Sequence, residues 1–302
     1  MKNKFILLTD VPINRVGGLE RAANIFRNWL LEESYSVVNI HRKNFIKEYK
    51  QLFLADLILI VGHRSFFIIF ISIFINILKK ELAWCAFWHD YKLEKNNHLI
   101  FYRIYDYFFK ILYQKAKFNL VVSDYESNNI SKNNSSKKII LPTFISCTEK
   151  KLNCPRRYDV FIPGRDVPHK RFKLIKNLCK ELGLSYLESN MNFLSEKELV
   201  NGYLSSKYIF VPSLYESYSL VALEGMCCGC NVIVSDSVMI KDNFKKYNNF
   251  IILNRNNWNS KELREILKKL PNNTDNIQNA LKIQYEFSNE FCKSKFIKQL
   301  NL

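Results

Sequence analysis

Residues 210–236 read FVPSLYESYSLVALEGMCCGCNVIVSD, and within them Glu216 and Glu224 stand with seven residues between them. The apolar run Tyr208 to Val211 reads as a buried strand that Pro212 and Ser213 end. Leu220, Val221 and Leu223 begin a helical face that closes at Gly229. A second buried strand, Asn231 to Ser235, follows at once. The pattern is a βαβ unit, with Glu216 in the loop and Glu224 on the helix. Such a loop lies at the carboxyl end of a strand, where open α/β sheets bind ligands.

Working outward, both halves of the chain alternate strands and helices. Toward the amino terminus, strands are predicted at Phe5 to Leu8, Val37 to Ile40, Leu57 to Val61, Leu82 to Trp88 and Asn119 to Ser123, with a helix over Leu19 to Leu31 behind the loop holding Gly17 and Gly18. The stretch from Ser146 to Arg157 is charge-rich, contains Pro155 and has no periodicity, so a linker is placed at residues 149–157. A strand from Tyr158 to Pro163 then leads into the loop GRDVPHK, residues 164–170, and a helix runs from about Lys170 to Leu182. Ser195 and Glu198 form a capping box. Phe250 to Leu253 is a strand, Ser260 caps a helix that Pro271 ends, and the last thirty residues read as helical.

The chain has 302 residues, enough for two domains that each bury a core, with 48% hydrophobic and 24% charged residues. Lys2 and Lys4 precede an apolar run that lasts only from Phe5 to Leu8, too short for a signal peptide, so a cytoplasmic protein is expected. Eight cysteines without framework spacing fit reduced thiols. Cys227 and Cys230 make one CxxC, but no second pair or spaced His accompanies it, so no metal site is expected. The net charge of +17 points to a polyanionic partner. No nucleic-acid module accompanies it, so an anionic membrane or a phosphate-bearing substrate is expected instead. Phe66 to Leu78, FFIIFISIFINIL, is too short to span a bilayer and is ended by Lys79, Lys80 and Glu81. Its place between two buried strands suits a crossover helix, weighed against a helix lying in one leaflet.

Glu216 and Glu224 at this spacing, with ESYSLVALE and CCGCNVIVSD around them, resemble the paired-glutamate E-x7-E motif of retaining glycosyltransferases of family 4. Ser219 stands where that family often has Gly, and Asn231 where it usually has Pro. The resemblance implies the GT-B fold, an α/β architecture of two Rossmann-like domains facing each other across a cleft. Residues 1–148 would form the acceptor domain, 149–157 the linker and 158–285 the nucleotide-sugar-binding domain. Residues 286–302 would be a C-terminal helix crossing back onto the first domain.

Arg165 and Lys170 put two cations at a strand's carboxyl end, suited to a diphosphate whose charge grows as a glycosidic bond breaks. Their loop resembles the family's G-R-x-x-x-x-K element, whose Arg and Lys contact donor phosphates. By the same resemblance Glu216 binds donor-sugar hydroxyls and Glu224 the ribose hydroxyls; an ionised carboxylate accepts hydrogen bonds from such diols. Ser217, Tyr218, Ser219 and Leu220 precede a helix, whose N–H groups suit phosphate oxygens. With these groups no divalent metal is required, and no D-x-D triplet occurs. Gly17 and Gly18 resemble the family's amino-terminal Gly-rich loop and permit close backbone approach to a donor. Because the loop is not G-x-G-x-x-G, a dehydrogenase is disfavoured. Trp88-His89-Asp90 ends a predicted strand, as an H-D pair does in many relatives, so His89 is a candidate to hydrogen-bond the donor sugar or orient the acceptor.

The expected function is a metal-independent, hexosyltransferase-type glycosyltransferase without a cofactor. It would move a sugar from a nucleotide diphosphate sugar to a glycan acceptor, lipid-linked, in O-antigen- or capsule-type polysaccharide synthesis at the inner face of the cell membrane. Two alternatives stand beside it: an isomerase of similar fold, of the nucleotide-sugar 2-epimerase type, and a non-catalytic partner subunit that binds anionic surfaces.

Overall fold

The computed structural model of the protein describes residues 4–10, 12, 18–62, 66–85, 107, 111–112, 114–130, 136–164, 166–189, 195–216, 218–270 and 273–300. The chain divides into two compact units, residues 1–141 with 293–302, and residues 142–292.

The first unit is built on a six-stranded parallel sheet. Its elements are β1 (Lys4–Thr9), α1 (Gly18–Glu32), β2 (Ser36–His41), α2 (Phe45–Glu48), a 3₁₀ turn (Tyr49–Leu54), β3 (Leu57–Val61), α3 (Phe66–Ile77), β4 (Leu82–Cys85), β5 (Phe118–Val121), α4 (Asp124–Ile130) and β6 (Ser136–Lys138). The strand order is β2-β1-β3-β4-β5-β6. β3 reads LILIV and every residue of it is buried, as a parallel strand covered on both faces requires. α3 does connect β3 to β4, which pair in parallel. Only one of its faces is buried, through Ile68, Ile71, Ser72 and Ile75; Phe70, Ile73 and Ile77 are exposed. The expected strand to Trp88 extends to Cys85, and residues 86–90 lie outside the described residues.

The second unit has a five-stranded parallel sheet. It contains α5 (Glu149–Leu152), β7 (Tyr158–Ile162), a 3₁₀ turn (Pro168–Lys170), α6 (Phe172–Leu182), β8 (Tyr186–Glu188), α7 (Glu196–Leu204), β9 (Ser206–Val211), α8 (Leu220–Cys227), β10 (Asn231–Ser235), α9 (Lys241–Phe244), β11 (Phe250–Leu253), α10 (Ser260–Lys269) and α11 (Asn273–Glu286). The order is β11-β10-β9-β7-β8. The chain therefore winds one way from β7 to β8 and the other way from β9 to β11, and the reversal falls between β7 and β9. A last helix, α12 (Asn289–Leu300), joins the first unit from Lys293 onward. There Phe296 stacks on Phe26 at 4.8 Å, and Lys293 pairs with Glu32 and Glu33 at 3.0 and 2.8 Å.

Two helix starts differ from the sequence reading. The helix expected from Lys170 begins at Phe172, because Arg171 takes φ 58° and ψ 40°, a left-handed conformation that an α-helix interior does not contain. The helix expected to be capped by Ser260 is capped by Asn259, whose Oδ1 accepts from the Glu262 N–H at 2.9 Å, and Ser260 is its first helical residue. The Ser195–Glu198 capping box is present with both of its reciprocal bonds. β6 and β8, three residues each, are too short to show a period in sequence.

α7 packs on β7 through a glycine. A Cβ added at Gly202 would come within 2.4 Å of the Phe161 ring, which is buried and meets Tyr203 edge-on at 5.1 Å. Alanine would gain about 1 kcal/mol of helix propensity, but overpacking a ring that has no free space costs about 1–3 kcal/mol or more. Overlap this deep decides the sign, so Gly202→Ala is expected to lower the midpoint of chemical denaturation; an unchanged or higher midpoint would refute the packing argument.

Candidate functional site

β7 and β9 pair in parallel, with Val160 opposite Tyr208 and Phe161 opposite Ile209. The loops that leave them therefore emerge side by side, at the point where the sheet's winding reverses. In open α/β sheets this is where a crevice for ligands forms.

The first loop turns at Gly164, whose φ of +101° a side chain would strain. Its N–H donates to Ser189 Oγ at 2.9 Å, and the loop then closes into the 3₁₀ turn that ends at Lys170. Lys170 Nζ lies 3.6 Å from where a Cβ of Gly164 would be, so the ammonium folds back over the start of its own loop. The second loop is tied to the first: the Leu214 N–H donates to the His169 carbonyl at 2.9 Å, and the His169 and Tyr215 rings stack at 4.7 Å. Glu216 is fixed at its backbone by an isolated parallel bridge to Val238. Its N–H donates to the Ser237 carbonyl at 3.3 Å, and the Met239 N–H donates to its carbonyl at 3.0 Å.

Lys170 and Glu216 consequently line one small cavity, with Ile162, Pro163, Pro212 and Ser213. Ser213 Oγ donates to Glu216 Oε2 at 3.1 Å, and the Ser219 hydroxyl bonds to the same carboxylate. Burial pushes the Glu216 carboxyl above the ordinary range; Lys170 and the two hydroxyls oppose that rise without cancelling it. Beside the cavity, Arg255 Nε bonds Asp236 Oδ1 at 3.1 Å, Arg255 Nη1 donates to the Leu214 carbonyl at 3.3 Å, and Arg171 Nη1 donates to the Arg255 carbonyl at 2.9 Å.

Ser219 caps α8, its Oγ accepting from the Ala222 N–H at 3.3 Å. Its φ of −91° suits any residue, so the position does not need glycine, and the serine side chain is used twice, on the helix and on Glu216. Tyr218 and Ser219 are buried and Leu220 is half-buried. Glu224 lies one turn into α8, buried, and accepts from Tyr203 Oη at 2.8 Å. Burial, with Glu224 beside it, holds the Tyr203 phenol well above its ordinary range, so it remains a donor. Glu224 is not part of the wall shared by Lys170 and Glu216. Arg165, Ser217, Gly17 and His89 lie outside the described residues, and Gly18 is the first residue of α1.

Sequence reasoning missed Ser213, Tyr203, Arg171, Asp236 and Arg255. Tyr203 stands 21 positions before Glu224 on another helix, a separation with no local pattern to reveal it.

Comparison with known proteins bears on this unit first. Residues 158–284 match the family model of the group 1 glycosyl transferases. An uncharacterized glycosyltransferase of Methanocaldococcus jannaschii is 34% identical over 61 residues, which are 20% of this chain and 16% of that protein's length. The whole chain superposes on sucrose-phosphate synthase from Thermosynechococcus elongatus with a TM-score of 0.75 at 13% identity, covering 99% and 98% of the two chains. Anabaena HepE, solved in complex with UDP-glucose, superposes with a TM-score of 0.67 at 14% identity over 99% of each chain. The fold is GT-B, two Rossmann-like domains each on a parallel sheet.

Two measurements probe this geometry. Tyr203→Phe keeps the ring against Phe161 but removes the donor to a buried carboxylate, and hydrogen bonds to charged groups contribute about 1.5–3 kcal/mol; a stability loss of that size is expected, and none at all would show that Glu224 does not depend on Tyr203. Glu216 has a raised pKa when folded, so its ionisation costs stability as pH rises through the folded value and costs nothing well below the unfolded value. Glu216→Gln is therefore expected to melt higher than the parent at about pH 8, with the gap shrinking toward acid; a gap that widens toward acid would reverse the assignment.

Proposed function

We propose that the protein is a retaining glycosyltransferase that binds a nucleotide diphosphate sugar on its second unit and transfers the sugar to a glycan acceptor. The observation that carries this reading is the meeting of Lys170 and Glu216 at the winding reversal of a sheet whose residues match the group 1 glycosyl transferase family. The UDP-glucose complex of a structural relative supports a donor of this class.

In the proposed cycle Lys170, with Arg165 on the same loop, faces the diphosphate and offsets the charge that develops as the glycosidic bond breaks. Backbone N–H groups of Ser217 to Leu220 and the α8 amino end add donors to the same oxygens. Glu216 accepts hydrogen bonds from the donor sugar, and Glu224, held by Tyr203, accepts from the ribose. In a retaining transfer the acceptor hydroxyl approaches the anomeric carbon on the face the diphosphate leaves, and its proton passes to the departing phosphate. Gly17 and Gly18 are proposed to contact the donor, and His89 to hydrogen-bond the donor sugar or orient the acceptor, as the family resemblance implies. Since the cations that answer the leaving group belong to the chain, transfer is proposed to need no divalent metal. The acceptor is proposed to be lipid-linked, in cell-surface polysaccharide synthesis of the O-antigen or capsule type, with the enzyme peripheral at the inner face of the membrane. The charge of +17 supports that placement.

A thermal-shift series with UDP-, GDP- and ADP-sugars identifies the donor, because a ligand that binds only the folded state raises its melting point. With that donor, Lys170→Ala is expected to lower kcat/KM by about 10²–10³, the loss of about 2–4 kcal/mol of transition-state stabilisation, in the presence of excess EDTA as in its absence. Near-normal turnover in the variant would overturn the role of Lys170, and abolition of parent activity by EDTA, restored by magnesium, would overturn metal independence.

A further inference from the structure

Among the described residues, twelve large apolar side chains are exposed, and seven of them come from the single stretch between residues 46 and 77 of the first unit. Ile46, Tyr49, Phe53 and Leu54 stand out from α2 and the 3₁₀ turn after it; Ile46 is 85% and Leu54 64% exposed. Phe70, Ile73 and Ile77 stand out from α3, with Phe70 69% and Ile77 71% exposed. The two elements are neighbours. Phe53 meets Phe74 edge-on at 6.3 Å, Phe45 meets Phe67 at 5.4 Å, and Lys80 Nζ donates to the Ala55 carbonyl at 3.2 Å. Beneath them Leu52, Ala55, Ile68, Ile71 and Ile75 share one core cluster. The inner side of both elements is thus already satisfied, and a second apolar layer faces outward on the same side of the unit.

The charges around that layer identify what it meets. Arg42, Lys43, Lys47, Lys50 and Lys79 are all exposed. Of the acidic residues in the same span, Glu81 is paired with Lys117 at 2.7 Å, and Asp56 accepts from the Lys4 backbone N–H at 2.7 Å but keeps its charge, which leaves Glu48 and Asp56 against five exposed cations. A symmetric dimer through this patch would set the same cations against one another, because a two-fold interface is self-complementary. An anionic lipid surface answers both features at once: acyl chains take the apolar tips while lysine and arginine stems reach back to the headgroups.

We propose that α2, its following 3₁₀ turn and the outer face of α3 form one docking face that inserts shallowly into the headgroup and acyl boundary of an anionic lipid bilayer. No described helix is long and apolar enough to cross a membrane, so the helices of this face lie in the boundary. The inference rests on the membrane placement proposed above and not on the donor chemistry.

The test is co-sedimentation with vesicles of equal parts phosphatidylcholine and phosphatidylglycerol, at low and high salt, beside pure phosphatidylcholine. The parent is expected to bind the mixed vesicles at low salt and pure phosphatidylcholine much more weakly. Two variants change exposed positions on separate elements, Phe70→Ser with Ile77→Ser, and Phe53→Ser with Leu54→Gln. Each is expected to bind the mixed vesicles about tenfold or more weakly at the same salt, with its melting point and its UDP binding unchanged; if one variant unfolds, the other decides. Three results would overturn the proposal: no parent binding to the mixed vesicles, parent-like binding by a folded variant, or a parent dimer in solution that the variants dissociate. Absence of a melting shift with each of the UDP-, GDP- and ADP-sugars, in parent and variants alike, would count against the donor reading and leave the vesicle result standing.

Discussion

The pairing of β7 with β9 is the interaction on which the functional part of the molecule depends. Parallel neighbours must be joined by crossovers, and here the crossover through β8 lies on one side of the pair while β10 and β11 extend the other. Neither outgoing loop is covered by the other's connection, so both open at the same edge. Fully buried strands such as β10, in which all five residues are buried, fix the register from both faces. A slip of one residue would turn every core side chain of the slipped strand to the opposite face and displace the loop that follows it.

What the loops bring together is costly to hold. A half-buried carboxylate would relax by taking up a proton, and the raised pKa of Glu216 records that tendency. Ser213, Ser219 and Lys170 oppose it, and each is held in place by something other than Glu216: Ser219 by capping α8, Lys170 by its turn, Ser213 through the Ser237 Oγ bond to its carbonyl at 2.7 Å. A pocket organised before its ligand arrives avoids reorganisation when charge develops. Glu224 is held by a separate device. Arg156 Nη1 donates to the Tyr203, Leu204 and Ser206 carbonyls at 2.9, 2.9 and 3.2 Å, and Nη2 to the Cys228 carbonyl at 2.7 Å. One guanidinium thus closes the carboxyl ends of both α7 and α8, where a cation also complements the helix dipoles. The Tyr203–Glu224 bond joins the same two helices from within.

The sequence made the sheet strands and the strand–loop–helix around Glu216 legible because burial on both faces leaves continuous apolar runs with sharp punctuation. Its weak points have physical causes. Arg171 takes a left-handed conformation that glycine usually supplies, so nothing in its identity ended the helix there. Asn259 and Ser260 are both capping types, and only the hydrogen bond to Glu262 chooses between them. Ser219 reads as a departure from the glycine that the family resemblance implies there, yet its backbone is ordinary and its hydroxyl caps α8. Tyr203, Arg156 and Asp236 act through contacts between elements far apart in the chain, which no local window can hold.

α3 shows the same limit from the other side. A helix that is apolar on every face reads as buried, since composition cannot distinguish a face covered by protein from one that lacks cover. Burial of Ile68, Ile71 and Ile75 accounts for only one face; Phe70, Ile73 and Ile77 belong to the other, and no described element of the first unit covers them. Exposing three such side chains to water is unfavourable by several tenths to a few kcal/mol each, depending on the area freed. Isolated exposures are ordinary on protein surfaces, but this row adjoins a second exposed row from α2 and its turn. On the proposed docking face, removal of both rows from water would favour attachment, and the cations beside them would select for an anionic surface.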